Sequence, residues 1–474
     1  MTPEEFREIG HQLIDWIADY RDALSRDGDL PVMSQVVPGA IRARLPAAPP
    51  QEGEPFAAIL GDVDRLILPG ISHWQHPRFF AYFPGNASLA SVLGDLLSSG
   101  LGVLGLSWQS SPALTELEET VTDWMRQLLG LSTEWSGVIQ DSASTSTLVA
   151  LLTARERATD HGQARGGLQA EARPLVVYSS AQNHSSVEKA ALLAGFGREN
   201  VRAIATDERH ALRVDALAQA IERDLAAGRR PAAIVATVGT TATTALDPLE
   251  PLAALARRHD LWLHVDGALA GSAMILPECR WMWQGIEAAD SLVLNPHKWL
   301  GAVFDCSLYY VRDPQHLIRV MSTNPSYLQT AADAQVKNLR DWGIPLGRRF
   351  RALKLWFLIR EQGVAGLQAR LRRDIENARW LAEQVDAAPD WQRLAPVPLQ
   401  TVALRHQPPG LDGEALDRHT LAWVERVNRS GRAYLTPAMV DGRWLARVSV
   451  GAEATERADV EALWELMRAE AARD

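Results

Sequence analysis

Between about residues 110 and 315, short apolar runs alternate with helical ones, and that alternation leaves few folds open. The runs 175–178, 233–237, 261–265, 292–294 and 307–311 are apolar almost throughout. Strands without a polar face are covered by helices on both sides, which is the arrangement of a mostly parallel sheet in an α/β fold. Helices are expected at 148–157 and 248–258, with 162–173 a polar connecting loop. A helix at 350–360 leads to a smaller region with strand-like runs at 401–404 and 445–450 and a closing helix at 456–470. No internal repeat or low-complexity tract interrupts this order.

The chain begins with a helix signal. Thr2 can cap it, with Pro3 in the first turn and Glu5 completing a capping box. Phe6, Ile9, Leu13, Trp16, Ile17, Tyr20 and Leu24 then recur at helical spacing and form one broad apolar face, which needs a partner. A Pro-rich connection at 46–55 precedes helices at 56–67 and 87–99. At 474 residues the chain exceeds one ordinary domain and can bury a large core. No apolar run approaches the roughly 20 residues that span a bilayer, and the acidic start lacks the features of a signal peptide. Two cysteines, Cys279 and Cys306, cannot build a disulfide framework and suit a reducing compartment. A formal net charge of −10 argues against broad nucleic-acid binding. The expectation is a cytoplasmic protein without nucleic-acid or membrane partners.

Four segments carry candidate chemistry. The strand-like 291–294 is followed by Asn295, Pro296, His297 and Lys298, so a lysine amine stands just past a strand end. A desolvated Lys loses its proton readily and can form a Schiff base, although most lysines in such places are surface groups. The apolar run 261–265 ends in Asp266, with Gly267 and Ala268 after it. A buried carboxylate there needs a cationic partner such as a protonated pyridine, unless it caps the next turn. His184 follows the strand at 175–178, placed to lie on an aromatic ring or to serve as an ordinary polar group. Ser142, Ala143, Ser144 and Thr145 open a helix, suited either to phosphate or to simple capping. A phosphate, an aromatic cation, a stacking face and an aldehyde partner together describe pyridoxal 5'-phosphate (PLP).

The order of these segments resembles the group II PLP-dependent amino-acid decarboxylases, most of all the aromatic-L-amino-acid decarboxylases. The likeness extends to His76-Pro77-Arg78-Phe79-Phe80-Ala81-Tyr82-Phe83-Pro84, to Ser111-Pro112-Ala113-Leu114-Thr115-Glu116-Leu117-Glu118 and to Ile344-Pro345-Leu346-Gly347-Arg348-Arg349-Phe350-Arg351. It implies a fold-type-I PLP enzyme with a seven-stranded sheet, and a homodimer whose active site lies at or near the interface. Its parts would be an N-terminal dimerisation segment (1–85), a large PLP-binding domain (86–360) and a small C-terminal domain (361–474). It implies that Lys298 carries the cofactor, Asp266 keeps the ring nitrogen protonated, His184 stacks on one ring face and Ala268 lies on the other. Ser142, Ala143, Ser144 and Asn295 would hold the phosphate, Thr241 would sit near the ring, and His297 would adjoin the linkage. Trp74, Tyr82, Phe83, Pro84, Leu106 and Leu339 would face the substrate. The implied reaction is decarboxylation of an L-amino acid, aromatic by likeness, to the amine and carbon dioxide.

Two departures qualify that reading. The lid expected at 321–340, which includes Asn324, carries in the resembling enzymes a Tyr where this chain has Leu339. That Tyr is the expected proton donor to Cα, and leucine has no proton to give. Either another acid takes over, with His297 nearest by sequence, or the carbanion persists and reacts with dioxygen to give an aldehyde, ammonia and peroxide. Gly85 and Asn86 stand where catechol-preferring relatives have a Thr. Other signals are set aside. Gly100, Gly102 and Gly105 spell GxGxxG, but a helix rather than a strand precedes them, so an NAD-dependent oxidoreductase is the remote alternative. Ser186 and Lys189 match S-x-x-K without its companion signatures. His73 and His76 lack further nearby ligands, so no metal is expected.

Overall fold

A computed structural model describes residues 1–26, 30–323, 325–333 and 335–473, so Asn324 and Ala334 of the expected lid lie outside the described residues. The chain forms two compact units, one of residues 85–375 and 395–401, the other of 1–84, 376–394 and 402–474.

The larger unit is built on seven strands: β1 (Ser136–Gln140), β2 (Leu175–Ser180), β3 (Val201–Ile204), β4 (Arg230–Thr237), β5 (Trp262–Asp266), β6 (Ser291–Leu294) and β7 (Ser307–Val311). Their order across the sheet is β1-β7-β6-β5-β4-β2-β3. β2 pairs in parallel with β3 and β4, β4 with β5, and β5 with β6, while β7 runs antiparallel to both β6 and β1. Every residue of β2, β5, β6 and β7 is buried, in keeping with their mostly apolar pattern. The five strands expected from sequence are present; β1 and β3 were not anticipated. β3 has only Ile204 buried, and β1 opens on a Ser-Gly pair, so neither carries a continuous apolar run. Gly137 is needed there, because a Cβ would lie 2.6 Å from the Tyr310 ring.

The helix Leu89–Leu101 ends at Gly102, which caps it in the left-handed conformation (φ 63°). No strand leads into Gly100, Gly102 and Gly105, so the dinucleotide fingerprint has no structural basis here. The expected helix at 350–360 starts at Ala352 and is the first part of Ala352–Ala387, which breaks at Gly363 (φ 64°, ψ 167°).

In the smaller unit, the helix Pro3–Ala23 has its capping box: Thr2 Oγ1 accepts from the Glu5 amide at 3.2 Å, and Glu5 Oε2 accepts from the Thr2 amide at 2.7 Å. None of this helix's residues is buried, and Phe6 is 63% exposed. The unit also holds a four-stranded sheet in the order β10-β11-β9-β8, where β8 is Trp391–Arg393, β9 Thr401–His406, β10 Thr436–Val440 and β11 Arg443–Ser449. The amide of Val32 donates to Gly431 at 2.8 Å and Phe79 bridges Tyr434, which is why early and late parts of the chain share one unit. No described helix is long and apolar enough to cross a membrane.

Two of the recognised motifs meet inside the larger unit. Glu118 and Arg348 form a buried ion pair at 2.6 Å, and both grip β1: Glu118 Oε1 accepts from the Ile139 amide at 2.8 Å, and Arg348 donates to the Ile139 carbonyl at 2.5 Å. The strand whose end feeds the Ser142 helix is thus fixed by charged groups excluded from water. Removing one partner strands the other charge, at a cost of about 3–5 kcal/mol. Arg348→Met should therefore lower unfolding stability by that order in a urea titration, and the double replacement Glu118→Gln with Arg348→Met should recover part of the loss.

Candidate active site

The parallel strands β2, β4, β5 and β6 end along one edge of the sheet, the position at which open α/β sheets place ligands. Their ends deliver His184, Thr241, Asp266, Ala268, Asn295 and Lys298. Asp266, the last residue of β5, is 4% exposed. Its Oδ1 accepts the Ala268 amide at 3.0 Å, and no cationic side chain pairs with it among the described residues. This carboxylate therefore does cap the following turn, but that single hydrogen bond does not replace the hydration it has lost.

His184 caps the helix Ser185–Leu193 through its ring, because Nδ1 accepts from the Ser186 amide at 3.2 Å. The hydrogen of a neutral ring then sits on Nε2. Desolvation lowers its pKa, Asp266 opposes that shift, and Lys298 adds to it. His184 thus lies within electrostatic reach of both Asp266 and Lys298. Lys298 sits in the turn Pro296–Leu300 with a non-helical backbone (φ −92°, ψ −105°). Asn86 donates to its carbonyl from both its amide (3.4 Å) and its side chain (3.2 Å), which puts this unexpected residue against the lysine.

Ser142 caps the helix Ala143–Ala158, its Oγ accepting the Thr145 amide at 3.3 Å. Ala143 and Ser144 form the first turn, where backbone N–H groups have no carbonyl within the helix and favour an anion. Asn295 is buried; its backbone amide donates to Ala268 at 3.0 Å, while its side-chain oxygen has no hydrogen-bond partner among the described residues. Thr241 is half-buried in the turn after β4. His297 is buried, and its Nδ1 accepts the Cys306 amide at 3.0 Å. Burial, together with the Lys298 charge, holds it down to about 4. It is therefore a neutral ring with its hydrogen on Nε2, a hydrogen-bond donor rather than an acid near neutral pH.

The expected substrate residues divide between the units. In the smaller one, Trp74 stacks on Phe79 (4.5 Å) and Tyr82 (5.6 Å), and the Tyr82 and Tyr434 hydroxyls lie 3.1 Å apart. Phe83 lies under the Arg447 guanidinium at 4.4 Å, and Pro84 is buried. Arg447 is 2% exposed and donates to the Tyr82 carbonyl at 2.6 Å, but its Nε and second terminal nitrogen lack hydrogen-bond partners among the described residues. Sequence reasoning passed over this buried cation. Its signal was one Arg inside the apolar run from Leu445 to Val450. In the larger unit, Leu106 is half-buried and Leu339 is 1% exposed at the start of the short helix Leu339–Trp342. His73 and His76 are engaged otherwise, His73 Nδ1 with the Tyr20 hydroxyl at 2.9 Å and His76 Nδ1 with the Arg78 amide at 3.0 Å.

Residues 38–406 match the pyridoxal-dependent decarboxylase conserved domain. The chain belongs to the pyridoxal-dependent decarboxylases. Among curated relatives of this decarboxylase, tryptophan decarboxylase 2 of Oryza sativa subsp. japonica is 40% identical, covering 99% of this chain and 95% of that protein. Phenylacetaldehyde synthase of Arabidopsis thaliana is 41% identical over 99% and 96%. A crystal structure of Oryza sativa TDC with PLP and tryptamine superposes with a TM-score of 0.96 at 36% identity, covering 99% of this chain and 98% of that one. This decarboxylase is a PLP-dependent carboxy-lyase with the fold-type-I architecture of its structural neighbours.

The residues at the sheet edge fit that cofactor. A buried carboxylate without a cation suits a pyridinium N–H, helix-opening amides suit a phosphate, and the partnerless oxygen of Asn295 offers a further polar contact. Behind the site, His264 is fully buried with Nδ1 2.9 Å from Ser291 Oγ, and burial holds it down to about 4. An unfolded His takes up its proton near pH 6.5, so the unfolded chain binds more protons than the folded one between about pH 6.5 and 4. Apoprotein stability should fall as pH drops through that window. His264→Gln should flatten the slope, as read from urea midpoints at stepped pH.

Proposed function

We propose that this enzyme decarboxylates an aromatic L-amino acid to the amine and carbon dioxide, with Lys298, Asp266 and His184 at its centre. The observation that carries this reading is the buried, cation-less Asp266 carboxylate sharing its electrostatic surroundings with His184 and Lys298. The relatives named tryptophan decarboxylase and phenylacetaldehyde synthase support an aromatic substrate. When bound, PLP supplies an electron sink for the pair released as the carboxyl group leaves.

Each residue then has a task of its own. Lys298 offers the amine that holds the cofactor. Asp266 holds a proton on the ring nitrogen, because the ion pair is the least costly way to keep its charge out of water. His184 presents its ring face, fixed by the Ser186 contact, and Ala268 leaves room on the opposite side. Ser142, Ala143, Ser144 and Asn295 bind the phosphate, and Thr241 borders the ring. His297 donates from Nε2. A cytoplasmic location agrees with two buried cysteines, Cys279 and Cys306, that form no disulfide.

A second reading, oxidative decarboxylation to an aromatic aldehyde, is favoured by Leu339. It is buried and carries no proton at the position expected of an acid, and one relative is named as an aldehyde synthase. General acid catalysis typically contributes about 10² to 10⁴ in rate, enough for its loss to let a slow reaction with dioxygen compete. We retain amine formation as the principal reaction. An aromatic amino-acid panel assayed for amine, aldehyde and peroxide tests both. Amine is expected to dominate in the wild type, and Leu339→Tyr should raise the amine share further. Aldehyde with stoichiometric peroxide in the wild type would replace the first reading by the second. Identical rates and products in both proteins would remove Leu339 from the chemistry.

We also propose a homodimer, in which the helix Pro3–Ala23 packs on the second subunit. That helix has no buried residue, and the helix Leu89–Leu101 exposes Leu89, Leu93, Leu96, Leu97 and Leu101 at 44–54%. A stripe of that kind marks an interaction surface. Deleting residues 1–25 should give aggregates or inactive monomers on a sizing column. A soluble, fully active truncated protein would contradict it.

A further inference from the structure

The turn that carries Lys298 is gripped by two buried charged residues that the chemistry itself does not use. Arg370 and Asp374 lie four residues apart on the helix Ala352–Ala387, so they share one face of it. Arg370 donates to the carbonyls of Trp299 at 2.9 Å and Leu300 at 2.6 Å, the two residues directly after Lys298. Asp374, 0% exposed, accepts the Trp299 indole N–H at 2.9 Å. Gly301 closes the turn with φ 106°, and a Cβ there would lie 3.2 Å from the Arg370 guanidinium. The approach of Arg370 thus depends on a residue with no side chain.

Three neighbouring carbonyls, those of Lys298, Trp299 and Leu300, accordingly take hydrogen bonds from side chains, the first from Asn86 and the others from Arg370. The Lys298 backbone is non-helical inside this turn, which the Lys298 amide ties to Asn295 at 3.0 Å and the Gly301 amide to Pro296 at 3.1 Å; the side-chain bonds add to these. Burying a guanidinium and a carboxylate is costly unless both are paired and bonded. Here Asp374 is paired with Arg373, whose Nε lies 3.5 Å from its Oδ1, while Arg370 and Asp374 each bond the lysine turn. Trp299 is fully buried and occupies the space between the turn and the helix.

We propose that Arg370 and Asp374, acting through Trp299, are positioning residues that set the direction in which Lys298 presents its amine. This rests on the reading that Lys298 holds the cofactor. The mechanism is geometric. A displacement of about 1 Å at a reacting group can cost on the order of 10² in rate, even when its cause lies away from the chemistry. Loss of the clamp should therefore act on turnover and on the environment of the lysine–cofactor linkage, while leaving substrate affinity little changed.

The test uses PLP-loaded Trp299→Phe, Asp374→Leu, Asp374→Asn and Arg370→Met beside the wild type. Three quantities are read: the site of borohydride labelling by peptide mapping, the pH midpoint of the cofactor's visible absorption, and kcat and KM for an aromatic amino acid. Trp299→Phe and Asp374→Leu should lower kcat by about tenfold or more with KM within about threefold. They should also move the absorption midpoint by about half a pH unit or more, since that midpoint responds to the surroundings of the linkage. Asp374→Asn keeps an acceptor for the indole and should restore kcat to within about threefold of the wild type. Arg370→Met should resemble Asp374→Leu if it folds; Trp299→Phe, which only loses one N–H and trims a ring, decides the matter if it does not. Labelling on Lys298 with unchanged midpoint and kcat, accompanied only by a lower melting temperature, would reduce the clamp to ordinary packing and overturn the proposal. Labelling of a different lysine in the wild type would overturn the Lys298 reading, and the clamp with it.

Discussion

A carboxylate buried at the end of a central strand, with no ion-pair partner among the described residues, is the constraint on which the proposed site depends. Asp266 is placed by β5, whose neighbours β4 and β6 run the same way and end at the same edge. The sheet thus forces a negative charge into a position from which water is mostly excluded. Left alone, the charge is destabilising; completed by a protonated ring nitrogen, it becomes a reason for that cofactor to bind in one orientation. The remaining residues of the edge follow from the same geometry. His184 follows β2 and Lys298 follows β6, while Asn295 ties the two loops together through its bond to Ala268.

Support for this edge comes from charged groups well away from it. Glu118 and Arg348 hold β1, which leads into the Ser142 helix. Arg370 and Asp374 hold the turn after β6. In both cases two buried, oppositely charged side chains hydrogen-bond the chain where a strand hands over to a loop, Glu118, Arg348 and Arg370 through the backbone and Asp374 through the Trp299 indole. Such pairs add little net stability relative to apolar replacements, but they specify one arrangement of the chain.

Much of this was legible in the sequence because strands buried on both faces write themselves as continuous apolar runs. β2, β4, β5, β6 and β7 were readable on that ground; Asp266, His184 and Lys298 each stand at or just after the end of such a run, but the runs alone left their roles open and the family resemblance supplied them. β1 and β3 were not, since a Ser-Gly start and a polar edge strand lack that signature. The role of Asn86 was hidden because it is set by a contact 212 residues away. Arg447 was visible as one cation in an apolar strand, but the nitrogens it leaves without hydrogen-bond partners among the described residues are a property of the folded state. The sequence pointed to His297 as a substitute acid by proximity alone; the Cys306 amide on its Nδ1 makes it a donor instead.

The central claim is that Asp266 keeps the cofactor's ring nitrogen protonated. It is tested most directly by the nitrogen-15 chemical shift of ring-labelled PLP bound to the enzyme, compared with the same cofactor bound to Asp266→Asn. The account predicts a pyridinium shift in the wild type throughout about pH 6 to 8, because a buried ion pair holds its proton across that range, and an unprotonated pyridine shift in the variant. An unprotonated nitrogen in the wild type, or an unchanged pyridinium in Asp266→Asn, would contradict it.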